Sequence, residues 1–164
     1  MSSLLQPQGI MITLRAMRTE EFSGYSEYFL VDYADEIAAN FGYSLEKSRA
    51  IAVQELLDDL PNDISTPENV LLCIEAKGHD AIGYLWYKLL DNAGTAFIMD
   101  FVLFDEYRGL GYGKATLIAL EQQLSQSGVE QIELRVAANN KRAFGLYDTL
   151  GFSITGYNMA KILE

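Results

Sequence analysis

The chain predicts an α/β protein: one mixed β-sheet with helices on both faces, in the order β-α-α-β-β-β-α-β-α-β-β. Three observations carry this expectation. Residues 95–104 are apolar on both faces and read as a central strand. Short polar turns at 77–80 and 91–94 join the runs before it, which makes strands two to four an antiparallel meander. A helical pattern between strands four and five then requires a crossover, so those two strands are parallel.

The elements follow in order. Residues 11–17 read as the first strand. Thr19 is read as the cap of a helix that carries Phe22, Tyr25, Phe29 and Tyr33 at helical spacing. Residues 34–41 continue or restart that helix, which ends at Gly42. Ser44 opens another helix through Leu45, Ile51, Val53 and Leu57 that stops before Pro61. Residues 61–68 are polar, contain Pro61 and Pro67, and read as a loop. Strands two and three occupy 70–76 and 81–90. A helix over 111–127 points Leu117, Leu120 and Leu124 inward and stops at Gly128. Residues 131–137 alternate, with Ile132, Leu134 and Val136 inward and Glu133 and Arg135 outward. A helix over 140–150 follows, then two short strands near 151–156 and 158–163.

Length and composition narrow the class. The 164 residues suit one domain, 1–164, with an adequate core. Its apolar runs are too short to span a bilayer, so no membrane partner is expected. The N-terminus lacks a basic region and a long apolar stretch, so no secretory signal is read and a cytoplasmic location is expected. Cys73 is the lone cysteine, which excludes an internal disulfide. A net charge of −11 disfavours a general nucleic-acid binder, which needs basic surface. The same charge fits attraction of a cationic amine, and fits equally well an acidic, soluble surface.

The most informative segment is Tyr107-Arg108-Gly109-Leu110-Gly111-Tyr112-Gly113, between the fourth strand and the helix that follows it. A glycine-rich turn leading into a helix N-terminus binds phosphate, because the first helical N–H groups are unpaired and point outward. Lys114 stands where the dinucleotide fingerprint G-x-G-x-x-G needs its last glycine. Ala115 stands where a nucleotide P-loop needs Ser or Thr, and position 108 is not glycine. A different pattern fits: Arg108-x-x-Gly111-x-Gly113.

A second segment, residues 140–152, contains Asn140, Ala143, Leu146, Tyr147, Gly151 and Phe152. Asn140 is a good N-cap. Asn140 and Tyr147 lie about two turns apart on one helix face, with the small Ala143 between them. Gly151 suits a left-handed helix stop.

These two segments resemble the two signatures of the GCN5-related N-acetyltransferase (GNAT) family, in that family's order and separation. The first is its pyrophosphate loop, Arg/Gln-x-x-Gly-x-Gly/Ala. The second is Asn-x-x-Ala-x-x-Leu-Tyr-x-x-x-Gly-Phe. The element order is also the family's. The resemblance implies the acyl-CoA N-acyltransferase fold, with strands four and five parallel and then splayed. Residues 70–164 become the acetyl-CoA-binding core, and 1–69 supply the first strand and the acceptor-side helices.

The resemblance implies a mechanism and a site. Acetyl-CoA is the co-substrate and no metal is required. The backbone at Phe101, Val102 and Leu103 pairs with the pantetheine arm, and an N–H near Leu103 stabilises the oxyanion. Arg108, Gly109, Leu110, Gly111, Tyr112, Gly113 and Lys114 hold the pyrophosphate, with Arg108 able to meet phosphate through its guanidinium. Asn140 and Ala143 border the pantetheine. Asp100, in an apolar stretch whose desolvation raises a carboxylate pKa, is either the general base or a group that only bonds backbone at the splay. Tyr147 is either the acid for the leaving thiolate or a core tyrosine.

The predicted activity is acetyl transfer to a primary amine by direct attack. The acceptor is a small molecule or a peptide, and the protein a monomer or homodimer. The alternatives are a non-catalytic acyl-CoA-binding module, or a transferase using another acyl-CoA. Cys73 reads as core packing and His79 as a solvated turn residue. Trp86 and Tyr84 fit core packing first and cleft wall second, while a tyrosine of the helical aromatic stripe lines the acceptor cleft or faces the core.

Overall fold

The computed structural model describes residues 9–164. Among them are a five-stranded sheet, β1 (Ile12–Ala16), β2 (Asn69–Ala76), β3 (Ala81–Leu90), β4 (Thr95–Leu103) and β5 (Gln131–Leu134), in the spatial order β1-β2-β3-β4-β5. β1 to β4 pair antiparallel, and β4 pairs parallel with β5. The helices are α1 (Phe22–Phe41), α2 (Leu45–Asp59), α3 (Tyr112–Gln126) and α4 (Lys141–Thr149). No helix among the described residues is long and apolar enough to cross a membrane. The described residues divide into two compact units, 9–26 with 59–135, and 27–58 with 136–164.

The first unit holds the sheet. Residues paired across strands share a face, so Arg15, Cys73, Tyr84 and Val102 stand in one row. Leu71, Trp86 and Asp100 form the next row on that face. Leu72, Leu85 and Phe101 occupy the opposite face. α3 buries Ala115, Leu117, Ile118, Leu120 and Leu124, which include the three leucines of its expected inward stripe. Trp86 is buried, and its indole N–H donates to Asn69 Oδ1 at 2.8 Å, which satisfies its polar edge.

The entry to α1 is pinned by charge. The Arg15 guanidinium grips Glu21 with two parallel bonds, Nη1 to Oε1 at 2.8 Å and Nη2 to Oε2 at 3.0 Å. Arg15 Nε lies 3.2 Å from Glu75 Oε1 on β2. Glu21 also accepts the backbone N–H of Arg18 at 2.9 Å. Arg15's hydrogen bonds hold the Glu21 carboxyl at about 2, well below the usual carboxylate range. The cap role expected of Thr19 is therefore taken by Glu21: a 3-10 turn, Thr19–Glu21, precedes α1, and the carboxylate reaches back to the N–H that needs a partner. Cys73 is fully buried beside this pair, and burial pushes its thiol up to about 11, as suits an inert core cysteine.

α1 runs unbroken for 20 residues, its first turn in the first unit and the rest in the second, to Gly42, whose φ of 68° marks a left-handed stop. Ser44 Oγ accepts the Lys47 N–H at 3.1 Å and caps α2. Ala34, Ile37 and Ala52 form the core between these helices, and Tyr33 donates to Glu55. The buried stripe of α2 is Ser48, Ala52 and Leu56, at i, i+4 and i+8, which leaves Leu45, Val53 and Leu57 exposed. α4 is capped as expected: Asn140 Oδ1 accepts the Ala143 N–H at 3.1 Å.

Three boundaries differ from the sequence reading. β4 ends at Leu103, because Phe104 opens a 3-10 turn, Asp105–Tyr107. β5 ends at Leu134 rather than at 137, since β4, its one ladder partner among the described residues, pairs with it no further than Ile98. The two strands expected near 151–156 and 158–163 do not form: 152–164 have no ladder partner among the described residues, and Tyr157, Met159 and Leu163 are 81%, 95% and 83% exposed. Alternating residues can favour a strand, but a strand also needs a neighbouring edge for its N–H and C=O groups.

The Arg15–Glu21 clasp has a measurable signature. Because the carboxyl is depressed, the stability it contributes is complete above its ordinary value of 4.5 and is lost as pH falls toward about 2. Glu21→Gln should flatten that acid-side slope and lower stability at neutral pH by roughly 1–3 kcal/mol. Urea unfolding measured from pH 7 to pH 2 reads both effects; an unchanged slope would remove the clasp from the account.

Candidate active site

The site in the first unit starts from a break in the sheet. β4 and β5 pair from Thr95↔Gln131 to Ile98↔Leu134 and no further, although β4 continues to Leu103 on β3. The break coincides with a β-bulge. Trp86 faces Asp100 and Tyr87 faces Ile98, so Met99 has no partner on β3. A bulge bends its strand and increases its twist, which turns β4 away from its parallel neighbour.

Beyond the bulge the backbone direction is settled by alternation. Phe104 N–H donates to Ile82 C=O at 2.9 Å, so Phe104 and Val102 turn their main-chain groups toward β3. Phe101 and Leu103 turn theirs the opposite way, toward the side that β5 has left. The three-residue run expected to meet pantetheine thus presents two residues, Phe101 and Leu103, to the splay. β3 approaches β4 closely here: a Cβ on Gly83 would lie 2.1 Å from Val102 O, so only glycine fits.

The glycine loop follows directly. Gly109 and Gly111 have φ of 73° and 91°, the left-handed region in which other residues are strained. Gly111 is the N-cap of α3 and has no side chain to cap it. The ladder of α3 begins with Ala115 N–H to Gly111 C=O at 3.1 Å, so the N–H groups of Gly111, Tyr112, Gly113 and Lys114 precede it. Gly113 needs no positive φ. Leu110, at the tip, is 62% exposed.

Two features brace this loop. Arg108 Nε donates to Leu103 C=O at 2.9 Å, and its Nη1 lies 2.9 Å from Asp105 Oδ1. The arginine expected at a phosphate therefore ties the loop to the last residue of β4. The rings of His79, Tyr107 and Tyr112 meet edge-on, with centroids 5.3 to 6.2 Å apart. His79 sits in its expected turn, yet that turn packs against the loop.

Asp100 is half-buried and accepts a hydrogen bond from Tyr25 Oη at 2.8 Å. Tyr25 is fully buried, edge-on to Tyr84 at 5.0 Å, and Tyr84 is edge-on to Phe104 at 5.3 Å. The partner of Asp100 is thus a phenol from the first turn of α1, 75 residues away in sequence. Tyr25, which bonds the candidate base, is a residue that sequence reasoning left within an aromatic stripe. The signal available was a phenol near a helix start and a lone acid in an apolar strand.

In the second unit, Asn140, Ala143 and Tyr147 share a face of α4. Tyr147 is half-buried and meets Phe152 edge-on at 5.5 Å. Phe152 N–H donates to Tyr147 C=O at 3.0 Å, and Gly151 has a φ of 92°. The helix stop therefore fixes the ring against Phe152. Elsewhere, a surface hollow lined by Glu68, Lys88 and the β3–β4 turn lies at the opposite end of β4 from the splay and gathers no catalytic groups.

Comparison with known proteins agrees with this geometry. The Acetyltransferase (GNAT) family profile matches residues 30–152. The N-acetyltransferase YycN of Bacillus subtilis is 35% identical over 154 residues, covering 93% of this chain and 99% of its own. Its crystal structure superposes with a TM-score of 0.88 over 94% of this chain and 99% of that one. YdgE, from the same organism, is 26% identical over 92% of this chain and 98% of its own. The PaiA N-acetyltransferase of Thermoplasma acidophilum, crystallised with coenzyme A, shares the fold at a TM-score of 0.69 and 21% identity, over 90% of this chain and 93% of that one. With both signatures in place and an α/β sheet splayed between β4 and β5, the chain belongs to the GNAT family of acetyltransferases and is an acyltransferase enzyme.

Proposed function

We propose that the protein, acting as one N-acetyltransferase domain over residues 1–164, transfers the acetyl group of acetyl-CoA to a primary amine. The observation that carries this reading is the end of β4–β5 pairing at Ile98, followed by a glycine loop at an uncapped helix start. An extended pantetheine arm matches the splayed edge as an added strand would, bonding the main chain of Phe101 and Leu103. The diphosphate matches the N–H groups of Gly111 to Lys114, where the helix dipole favours negative charge. The coenzyme A held by PaiA, which has the same fold, supports the same class of co-substrate.

In this mechanism Asp100, positioned by Tyr25, takes the proton of the substrate ammonium, directly or through water. The neutral amine attacks the thioester carbonyl, and the oxyanion is stabilised by the Leu103 N–H. Collapse breaks the C–S bond, Tyr147 supplies a proton to the leaving thiolate, and the surplus proton on the acylated nitrogen returns through water to the phenolate. The role of Tyr147 rests on its place in the second signature. Asn140 already uses its side-chain oxygen as a cap, so its contact with pantetheine falls to the amide N–H2. The net charge of −11 favours a cationic acceptor, a small amine or a peptide.

A panel of amines assayed with acetyl-CoA for thiol release tests the activity. Turnover with one acceptor class names it; coenzyme A binding with no turnover across the panel favours the non-catalytic module instead. Tyr147→Phe and Asp100→Asn should each lower kcat by roughly 10²–10⁴-fold while leaving coenzyme A affinity near wild type. Unchanged kcat in either variant would end that residue's role. Gly111→Val forces a branched side chain into a left-handed position at a strain of about 1–3 kcal/mol, and should weaken coenzyme A binding at least about tenfold by calorimetry.

A further inference from the structure

Within the first unit, Asp100 is set among aromatic rings. Trp86 stands directly across from it on β3, and Tyr25 Oη donates to its carboxylate at 2.8 Å. From Tyr25 the ring contacts run in two directions, to Phe22 at 6.3 Å and to Tyr84 at 5.0 Å, and Tyr84 passes them on to Phe104 at 5.3 Å. Tyr25 and Trp86 are buried. Phe22, Tyr84, Phe104 and Asp100 itself are half-buried, so each keeps surface that a ligand can cover. Proton transfer employs Asp100 and Tyr25 and leaves the other three rings without a task. The charge on this face is also specific. Glu21 and Glu75, the carboxylates beside the Arg15–Cys73 row, are both held by Arg15, at 2.8 and 3.2 Å. Asp100 is held instead by a neutral phenol.

We infer that Phe22, Tyr84 and Phe104 form a wall against which the acceptor lies, and that the acceptor is a primary amine with a single ammonium on an apolar stem, aromatic or branched. This rests on the amine-acceptor reading of Asp100 above. An ammonium that leaves water for a half-buried carboxylate loses hydration, and ring faces within about 6 Å replace part of it. The carbons beside that nitrogen meet the same rings. An apolar stem gains by this burial, whereas a hydroxylated stem would leave its hydroxyls without partners. A second ammonium would need a second carboxylate, and on this face Arg15 already holds Glu21 and Glu75. A polyamine or an amino sugar therefore matches the wall less well than an arylalkyl or branched-alkyl amine.

Calorimetry of the full chain with 2-phenylethylamine, ethanolamine and spermidine, alone and with coenzyme A present, tests the wall without requiring turnover. Phenylethylamine should bind at least about tenfold more tightly than either of the others. Tyr84→Leu keeps the bulk and removes the ring, and should weaken phenylethylamine binding about tenfold, while Tyr84→Phe stays near wild type. Phe22→Leu, at the start of α1, should act in the same direction as Tyr84→Leu. Coenzyme A affinity and far-UV circular dichroism should be unchanged in all three variants. In turnover, the loss in Tyr84→Leu should appear in KM and not in kcat. Ethanolamine or spermidine binding as tightly as phenylethylamine in both conditions, or Tyr84→Leu and Phe22→Leu without effect, overturns the proposal. The expected binding preference without any acetyl transfer would leave the wall standing and strike the acetyl-transfer reading instead.

Discussion

The candidate site depends on one event in the sheet, the loss of β4–β5 pairing after Ile98 and Leu134. Strand edges are normally paired or covered, because a buried N–H or C=O without a partner costs about 1–3 kcal/mol. Here β4 continues for five residues past its last pair with β5, and among the described strands only β3 pairs with it there. The bulge at Met99 makes this tenable by turning β4 aside, and it leaves the main chain of Phe101 and Leu103 facing the gap. A linear ligand with amide groups of its own meets that requirement, and so the break defines the kind of ligand the fold accepts.

The rest of the first unit holds that edge and its loop in place. Gly83 lets β3 sit close behind β4. Arg108 joins the glycine loop to Leu103, which ties that turn to the residue at the edge of the splay. The rings of His79, Tyr107 and Tyr112 brace the loop from the β2–β3 turn. On the side-chain face, Tyr25 reaches from α1 to Asp100, and the Arg15–Glu21–Glu75 cluster anchors the start of that helix to β1 and β2. Electrostatics therefore position a helix whose first turn touches the candidate base.

Much of this was legible in the order of residues. β3 was read residue for residue, because polar turns bound it on both sides and its neighbours repeat the pattern. The cap at Asn140 and the stops at Gly42, Gly128 and Gly151 were legible because capping is local: each requires only a side chain within three residues or a φ that glycine adopts. The cap expected at Thr19 failed for a reason outside local sequence. Glu21 serves there because Arg15, on a strand, holds its carboxylate in position. The buried stripe of α2 escaped notice because Ser48 and Ala52 are small, and hydropathy alone favoured the exposed Leu45 and Leu57.

The sequence by itself determined the element order as far as the last helix, the parallel crossover, and the two signatures that name the family. These are properties of neighbours a few residues apart, set by sterics and periodicity. Only the tertiary structure decided where β4 leaves β5, which main-chain groups face the gap, that Arg108 binds a carbonyl, and that Tyr25 is the partner of Asp100. Each of these depends on which distant segments come side by side, and pairing partners are not encoded in the spacing of either segment alone.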